Sequence, residues 1–433
     1  MNTHPDLPRP AHILEAVTRQ RVLAEHLFSE LARMSRDPEG GITRAPYSLE
    51  ETRIHQRFGN IAEALGLNVT RDAMANTYMT LPGRDPMAKK ILTGSHLDSV
   101  KQGGNFDGAA GVVAGIIACV TLKELGFQPR CDISVMGVRS EESAWFGLSY
   151  IGSRGALGTL PDGALEARRV DSGLMLADGI RSAGGDPDAV AARKKTFEPT
   201  DLRCFLELHI EQGPLLDCEE LPVGIGTGIP GNFRFPDARV VGEYGHVGLL
   251  KDWRRDAVTA ASDFVVAMDA LWTEWENAGK PMAYTIGQFN TDPKLHAMTK
   301  VPGELRFSLD VRAYDPAHLE ELEARTLAII HAIEKRRGVR FELGKTARAA
   351  VGEMSPEIRN AFETLAREMG IPVRAIGSPA SHDSAAFAAA GVPTAMLFVR
   401  NANGSHNPAE TMTIDDFLQA TAILTAWIAD AAQ

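Results

Sequence analysis

The segment from Lys89 to Gly126 constrains this chain more than any other. It opens on a short apolar strand, KKILTGSH, and crosses a glycine-rich loop, LDSVKQGGNFDG. It then enters an apolar helical run, AAGVVAGIIACVTLKELG, that stops at Gly126. Strand, loop and helix in that order are the unit from which α/β sheets are wound. The strands CDISVMGVRSEE and RCFLELHIEQG follow, and after residue 350 come a helix over 355–369, the strand TAMLFV and a last helix over 414–431. This order predicts an α/β domain with a central mixed sheet flanked by helices.

Two helices precede that unit. Ile13, Leu14, Val17, Val22, Leu23, Leu27 and Leu31 have helical spacing across 11–36. A second helix fits 48–65, where Ser48 with Glu51 three residues on forms a capping box. Two strands are expected between Leu67 and Gly83. From 218 to 338 the pattern changes to short strands (238–243, 284–289, 304–312) and two helices (252–275, 316–336). The reading is a smaller α+β domain, 218–338, inserted into a catalytic domain made of 1–217 and 339–433. The chain of 433 residues is long enough for both.

Composition narrows the function. A net charge of −11 with scattered basic residues argues against nucleic acid and anionic membranes as partners. No apolar run is long enough to span a bilayer, and MNTHPDLPRP has no apolar leader core. Cys119, Cys131, Cys204 and Cys218 form no CxxC pair, and buried reduced thiols in a cytoplasmic protein are expected. Gly226–Gly231 matches GxGxxG, but NFRFPDARVV follows it instead of a helix start, which excludes a dinucleotide site.

The polar clusters lie at strand ends. His96 and Asp98 are two apart, hence on one side of an extended chain, with Asp98 placed to orient the imidazole. Glycines 103, 104 and 108 allow Asp107 to fold back toward His96. By itself that stretch fits a polar loop as well as a metal site. The Glu141-Glu142 pair fits solvent by itself; beside a metal, one carboxylate can ligate while the other acts as base. His209 in LELHIEQG, His382 in SHDS, His406 in GSHNPAE and His246 in GEYGHVG are each weak signals alone. Their joint placement at strand ends and in loops favours a hydrolytic metal centre.

With these motifs the chain resembles the dinuclear-metal amidohydrolases that include N-carbamoyl-L-amino acid hydrolase, β-ureidopropionase and allantoate amidohydrolase, relatives of the aminoacylases and carboxypeptidase G. The resemblance runs from about residue 40 to the C-terminus. It rests on GSHLDSV with GGNFDG, the EE pair before FGLSYIGSR, LELHIEQGP, VPGELRFSLDVR and SHNPAE. LELHIEQGP points to the carbamoylase branch. The resemblance implies two divalent metals bridged by Asp107, one also on His96 and His209, the other on Glu142 and His406. Zinc is favoured, with manganese, cobalt or nickel as alternatives. It implies Glu141 as general base, Asp98 orienting His96, and His246 stabilising the oxyanion. Because that histidine comes from a partner subunit in the family, a homodimer joined through the inserted lid domain is implied.

Arg312 matches the arginine that grips the substrate carboxylate. It shares the polar face of one strand with Glu304, Arg306, Ser308 and Asp310. The rest of the substrate set departs from the family. Asn232 lies in PGNFRFPD, Thr299 replaces an asparagine before VPGE, His382 lies in SPASHDS, and VGLLKDW follows His246. Hydrolysis with a shifted small-molecule substrate is expected, with Phe233, Phe235 and Trp253 hinting at a bulkier apolar group. An N-carbamoyl-L-amino acid is the first expectation, with an N-acyl amino acid conjugate and allantoate as alternatives. A metal-binding but inactive scaffold is the contrasting class; Glu141 and the full ligand set argue against it.

Overall fold

The computed structural model describes residues 9–433, so the reading of MNTHPDLPRP falls largely outside the described residues. The chain forms two compact units. The first runs to Ile229 and resumes over Glu353–Gln433; the second is Pro230–Gly352.

The first unit is built on an eight-stranded sheet. Its strands are β1 (Asn68–Arg71), β2 (Thr77–Leu81), β3 (Lys90–His96), β4 (Ile133–Val138), β5 (Leu202–Ile210), β6 (Val223–Gly226), β7 (Val373–Ile376) and β8 (Thr394–Val399). Their spatial order is β1-β2-β4-β3-β5-β8-β6-β7. The central four, β4, β3, β5 and β8, are parallel. Antiparallel β2 and β6 flank them, which makes the sheet mixed as expected.

Six longer helices belong to this unit: α1 (Pro10–Thr18), α2 (Arg21–Ser35), α3 (Leu49–Ala64), α4 (Ala109–Glu124), α5 (Pro356–Met369) and α6 (Ile414–Ala431). Every residue of α4 from Ala109 to Leu122 is buried. A helix apolar on all sides belongs in a core, and α4 lies against β3 and β5 with α6, α1 and α2 also touching it. Each fully buried Val or Ile there stabilises the fold by about 1.5–3 kcal/mol. The helix comes close to the sheet because Gly111 has no side chain: a Cβ there would lie 2.4 Å from the Leu208 carbonyl oxygen.

Two local expectations change. The helix expected over 11–36 breaks at Arg19–Gln20, and Val22 beyond the break is 76% exposed. The break shifts the second segment's register, so only part of the expected apolar stripe is shared. At α3 the Ser48 hydroxyl caps the Glu51 N–H at 3.0 Å. The Glu51 carboxylate, however, accepts from the Tyr47 N–H and pairs with the buried Arg139 guanidinium, so the reciprocal half of the box is missing.

The second unit is an antiparallel sheet of Met282–Thr285, Glu304–Ala313, Gly231–Val241 and Arg340–Glu342, with short additions at Phe289–Asn290 and Ala347–Ala349. Helices Ala257–Asn277 and Pro316–Arg337 pack on it. The junctions fall at 229/230 and 352/353, because β6 pairs with β8 and β7 while the segments at 340–342 and 347–349 pair with Gly231–Val241. Phe233 and Phe235 are 0% and 2% exposed in this unit's core beside Phe264 and Phe307. They therefore build the unit and do not face a substrate. Gly226–Gly231 lies in successive strands and opens no helix. All four cysteines are free. Among the described residues no helix is long and apolar enough to cross a membrane.

Candidate metal centre

The C-terminal ends of the four parallel strands converge, as they do wherever an α/β sheet collects a site. His96 ends β3, Glu141 and Glu142 follow β4, His209 lies near the end of β5, and His406 lies in the loop after β8. Asp107 arrives from the loop before α4. Gly108, at φ 68°, makes that arrival possible: the left-handed backbone suits glycine, and a Cβ there would lie 2.4 Å from the His96 ring. Gly108→Ala is therefore expected to lower metal retention and activity together while the far side of the sheet stays folded. Parallel metal analysis and circular dichroism check this, and full metal content at wild-type activity would contradict it.

Asp107 is the hub. Its Oδ1 lies 3.4 Å from His96 Nε2 and 3.2 Å from His209 Nε2. Its Oδ2 lies 3.3 Å from His406 Nε2, which in turn lies 3.3 Å from Glu142 Oε1. On His96 and His209 the other imidazole nitrogen is taken up outside the cluster. His96 Nδ1 is 3.0 Å from the Asp98 carbonyl oxygen and His209 Nδ1 is 2.9 Å from that of Ile210. This leaves each Nε2 for the centre, the arrangement a metal-ligating histidine needs. The Gly108 N–H also approaches His209 Nε2, at 3.2 Å.

Charge makes the same argument. Burial opposes the charged form of His96, yet Asp107, Glu141 and Asp98 outweigh it and raise its pKa well above the usual value. Hydrogen bonds to Asp107 and Glu142 push His406 up to about 10. Burial and the neighbouring Glu142, Asp383 and Asp98 hold Glu141 well above the carboxylate range against the opposing pull of His96. So many buried carboxylates require positive charge, supplied by protons on imidazole or by a divalent cation in their place. The donor atoms group as His96–Asp107–His209, His96–Glu141–Glu142 and Asp107–Glu142–His406, within 4.8 Å in each group. Imidazole nitrogen with carboxylate oxygen fits zinc, manganese, cobalt or nickel.

The Asp98 carboxylate lies 3.7 Å from His96 Nδ1 and is engaged elsewhere. Its Oδ1 accepts from the Glu141 N–H at 3.1 Å and its Oδ2 from the Glu142 N–H at 3.2 Å. The carboxylate thus pins the EE turn, while the backbone carbonyl of Asp98 holds the ring. Three further residues fix Asp107. Gln212 Nε2 donates to Oδ2 at 2.8 Å, Ser405 Oγ lies 2.6 Å from the same oxygen, and Glu410 Oε1 accepts from the Phe106 N–H at 2.9 Å. All three stand in motifs visible in the sequence, LELHIEQGP and SHNPAE, but neither spacing nor alternation shows that they meet Asp107.

The expected substrate residues belong to both units. His382 is buried, with Nε2 2.9 Å from Ser378 Oγ and its ring 4.3 Å from that of His209. It backs His209 instead of facing an open surface. In the second unit, His246 is exposed and pairs with Lys300 in a two-residue ladder, and the Thr299 carbonyl accepts the adjacent Val247 N–H. Arg312 stands opposite Asn232 in the sheet, its guanidinium held by Asp310 at 3.0 Å. Trp253 is exposed.

Residues 92–430 match the model of peptidase family M20/M25/M40. The chain belongs to that family. This M20-family chain is a hydrolase. It is 34% identical over 404 residues to the N-carbamoyl-L-amino acid amidohydrolase of Geobacillus stearothermophilus, covering 92% of this chain and 96% of that protein. The allantoate amidohydrolase of Bacillus subtilis is 29% identical, over 88% of this chain and 90% of its own. A hydantoinase/carbamoylase family amidase from Burkholderia ambifaria superposes with a TM-score of 0.82 at 26% identity, over 95% of this chain and 98% of that one.

Proposed function

We propose that this M20-family chain hydrolyses the linear ureido C–N bond of an N-carbamoyl-L-amino acid at a centre of two divalent metals. The observation that carries the reading is the division of Asp107: Oδ1 serves His96 and His209, and Oδ2 serves His406 beside Glu142. Divalent metal held there supplies Lewis acidity toward the ureido carbonyl and acidifies water. Glu141 takes a proton from the attacking water, whose oxygen bonds to the ureido carbon. It returns that proton to the amino-acid nitrogen as the C–N bond breaks. The carbamate left behind breaks down to carbon dioxide and ammonia.

By resemblance to the carbamoylases, Arg312 takes the substrate carboxylate and His246 is a further contact, with Asn232 and Thr299 at contact positions where this chain departs from the family. His246 then stabilises the oxyanion in a homodimer. Free cysteines, three of them buried, suit a reducing compartment such as the cytoplasm.

Two other substrates compete. Allantoate is supported by the Bacillus subtilis relative. An N-acyl amino acid is supported by the exposed Val247, Leu249, Leu250 and Trp253 that follow His246. Metal-reconstituted enzyme is to be assayed for ammonia release on N-carbamoyl amino acids and allantoate, and for free amino acid on N-acyl amino acids. Ammonia from N-carbamoyl-L-amino acids is expected to be fastest. Amino acid from acyl conjugates without ureido turnover would replace the reading.

A further inference from the structure

Arg44 is fully buried, and among the described residues it makes no ion pair within 4.0 Å. An isolated buried guanidinium is costly and persists only where its N–H groups are satisfied. Here they are. Nε donates to the Leu97 carbonyl at 2.7 Å, Nη2 to the Asp107 carbonyl at 3.3 Å, and Nη1 reaches Asn105 Oδ1 at 3.4 Å. The Arg44 backbone is itself fixed, exchanging bonds with Ser99 at 2.9 and 3.1 Å. Leu97 lies between His96 and Asp98, so one rigid fork ties the end of β3 to the loop that delivers Asp107. The carboxylates of Glu410, Asp107, Asp98 and Glu142 balance its charge at longer range.

We propose that Arg44 is a positioning residue for the metal centre: by holding the Leu97 and Asp107 carbonyls on one guanidinium, it sets the spacing between His96 and Asp107. The proposal rests on the metal reading above. Shape and charge make opposite predictions here. A cation this close to a metal site disfavours the metal, so charge alone would make Arg44→Met bind metal more tightly and leave Arg44→Lys unchanged. Positioning requires the fork, which lysine lacks, so both variants lose affinity.

The experiment is chelator competition for zinc on the full-length protein, with visible spectra of the cobalt-substituted forms and melting temperatures alongside. Arg44→Lys is expected to bind zinc roughly 10–100-fold more weakly, with an altered cobalt spectrum, and Arg44→Met at least as weakly. Should neither fold, Asn105→Ala keeps the guanidinium, removes one acceptor, and is expected to show a smaller loss of the same sign. Lowered melting with unchanged zinc affinity and an unchanged cobalt spectrum would overturn the proposal, as would tighter binding by Arg44→Met. Wild-type protein that holds no divalent metal would remove the metal reading itself, and this proposal with it.

Discussion

Glu141→Gln is expected to cut turnover by about 10²–10⁴-fold, the usual contribution of a positioned acid–base group, with metal content unchanged. The two effects separate because of where the residue is held. The Asp98 carboxylate accepts the backbone N–H of Glu141, a bond that glutamine keeps. The Glu141 side chain stands 4.0 Å from His96 Nε2, farther than Asp107. An amide fills the same space but cannot take a proton from water. Steady-state kinetics beside metal analysis by mass spectrometry would decide it. Wild-type turnover would take the base role from Glu141, and metal loss would make it a ligand.

Asp107→Asn is expected to act on the metal itself. The substitution keeps the shape and removes the charge on which three imidazoles converge. Its new N–H₂ also has to face either the imidazole lone pairs or the Gln212 and Ser405 donors on the other side. The loss of affinity should exceed the roughly 10–100-fold that an outer partner of a ligand costs, and metal stoichiometry should fall below that of the wild type. Titration with zinc under competition tests this. A variant that still binds two metals with wild-type affinity would end the bridging role.

The parts legible in the sequence are those written in short-range pattern. A short apolar run before a glycine-rich loop marked β3, an apolar helical run marked α4, and the Ser48 cap marked α3. The candidate ligands were legible because they stand at strand ends or in the loops that follow them. What escaped is set by contacts between distant segments. Arg44 meets Asp107 across the loop entry, and Ser405 and Glu410 meet it from the far end of the chain. Phe233 and Phe235 misled for a related reason: an aromatic residue looks alike in sequence whether it lines a pocket or fills a core, and the sheet register puts both inside. His382 shows the same ambiguity from the polar side, since its burial behind His209 follows from packing alone.

The place of β8 in the sheet has a consequence for synthesis. β8 comes from residues Thr394–Val399, yet it lies between β5 and β6, both complete by residue Gly226. A chain leaving the ribosome therefore exposes an unpaired apolar edge on β5 while the whole second unit is being made. Such edges invite wrong pairing. His406 emerges last of the cluster, seven residues beyond that strand. Metal added early would meet only a partial set of ligands on the nascent chain, and the complete set exists only once the final strand has zipped the sheet shut.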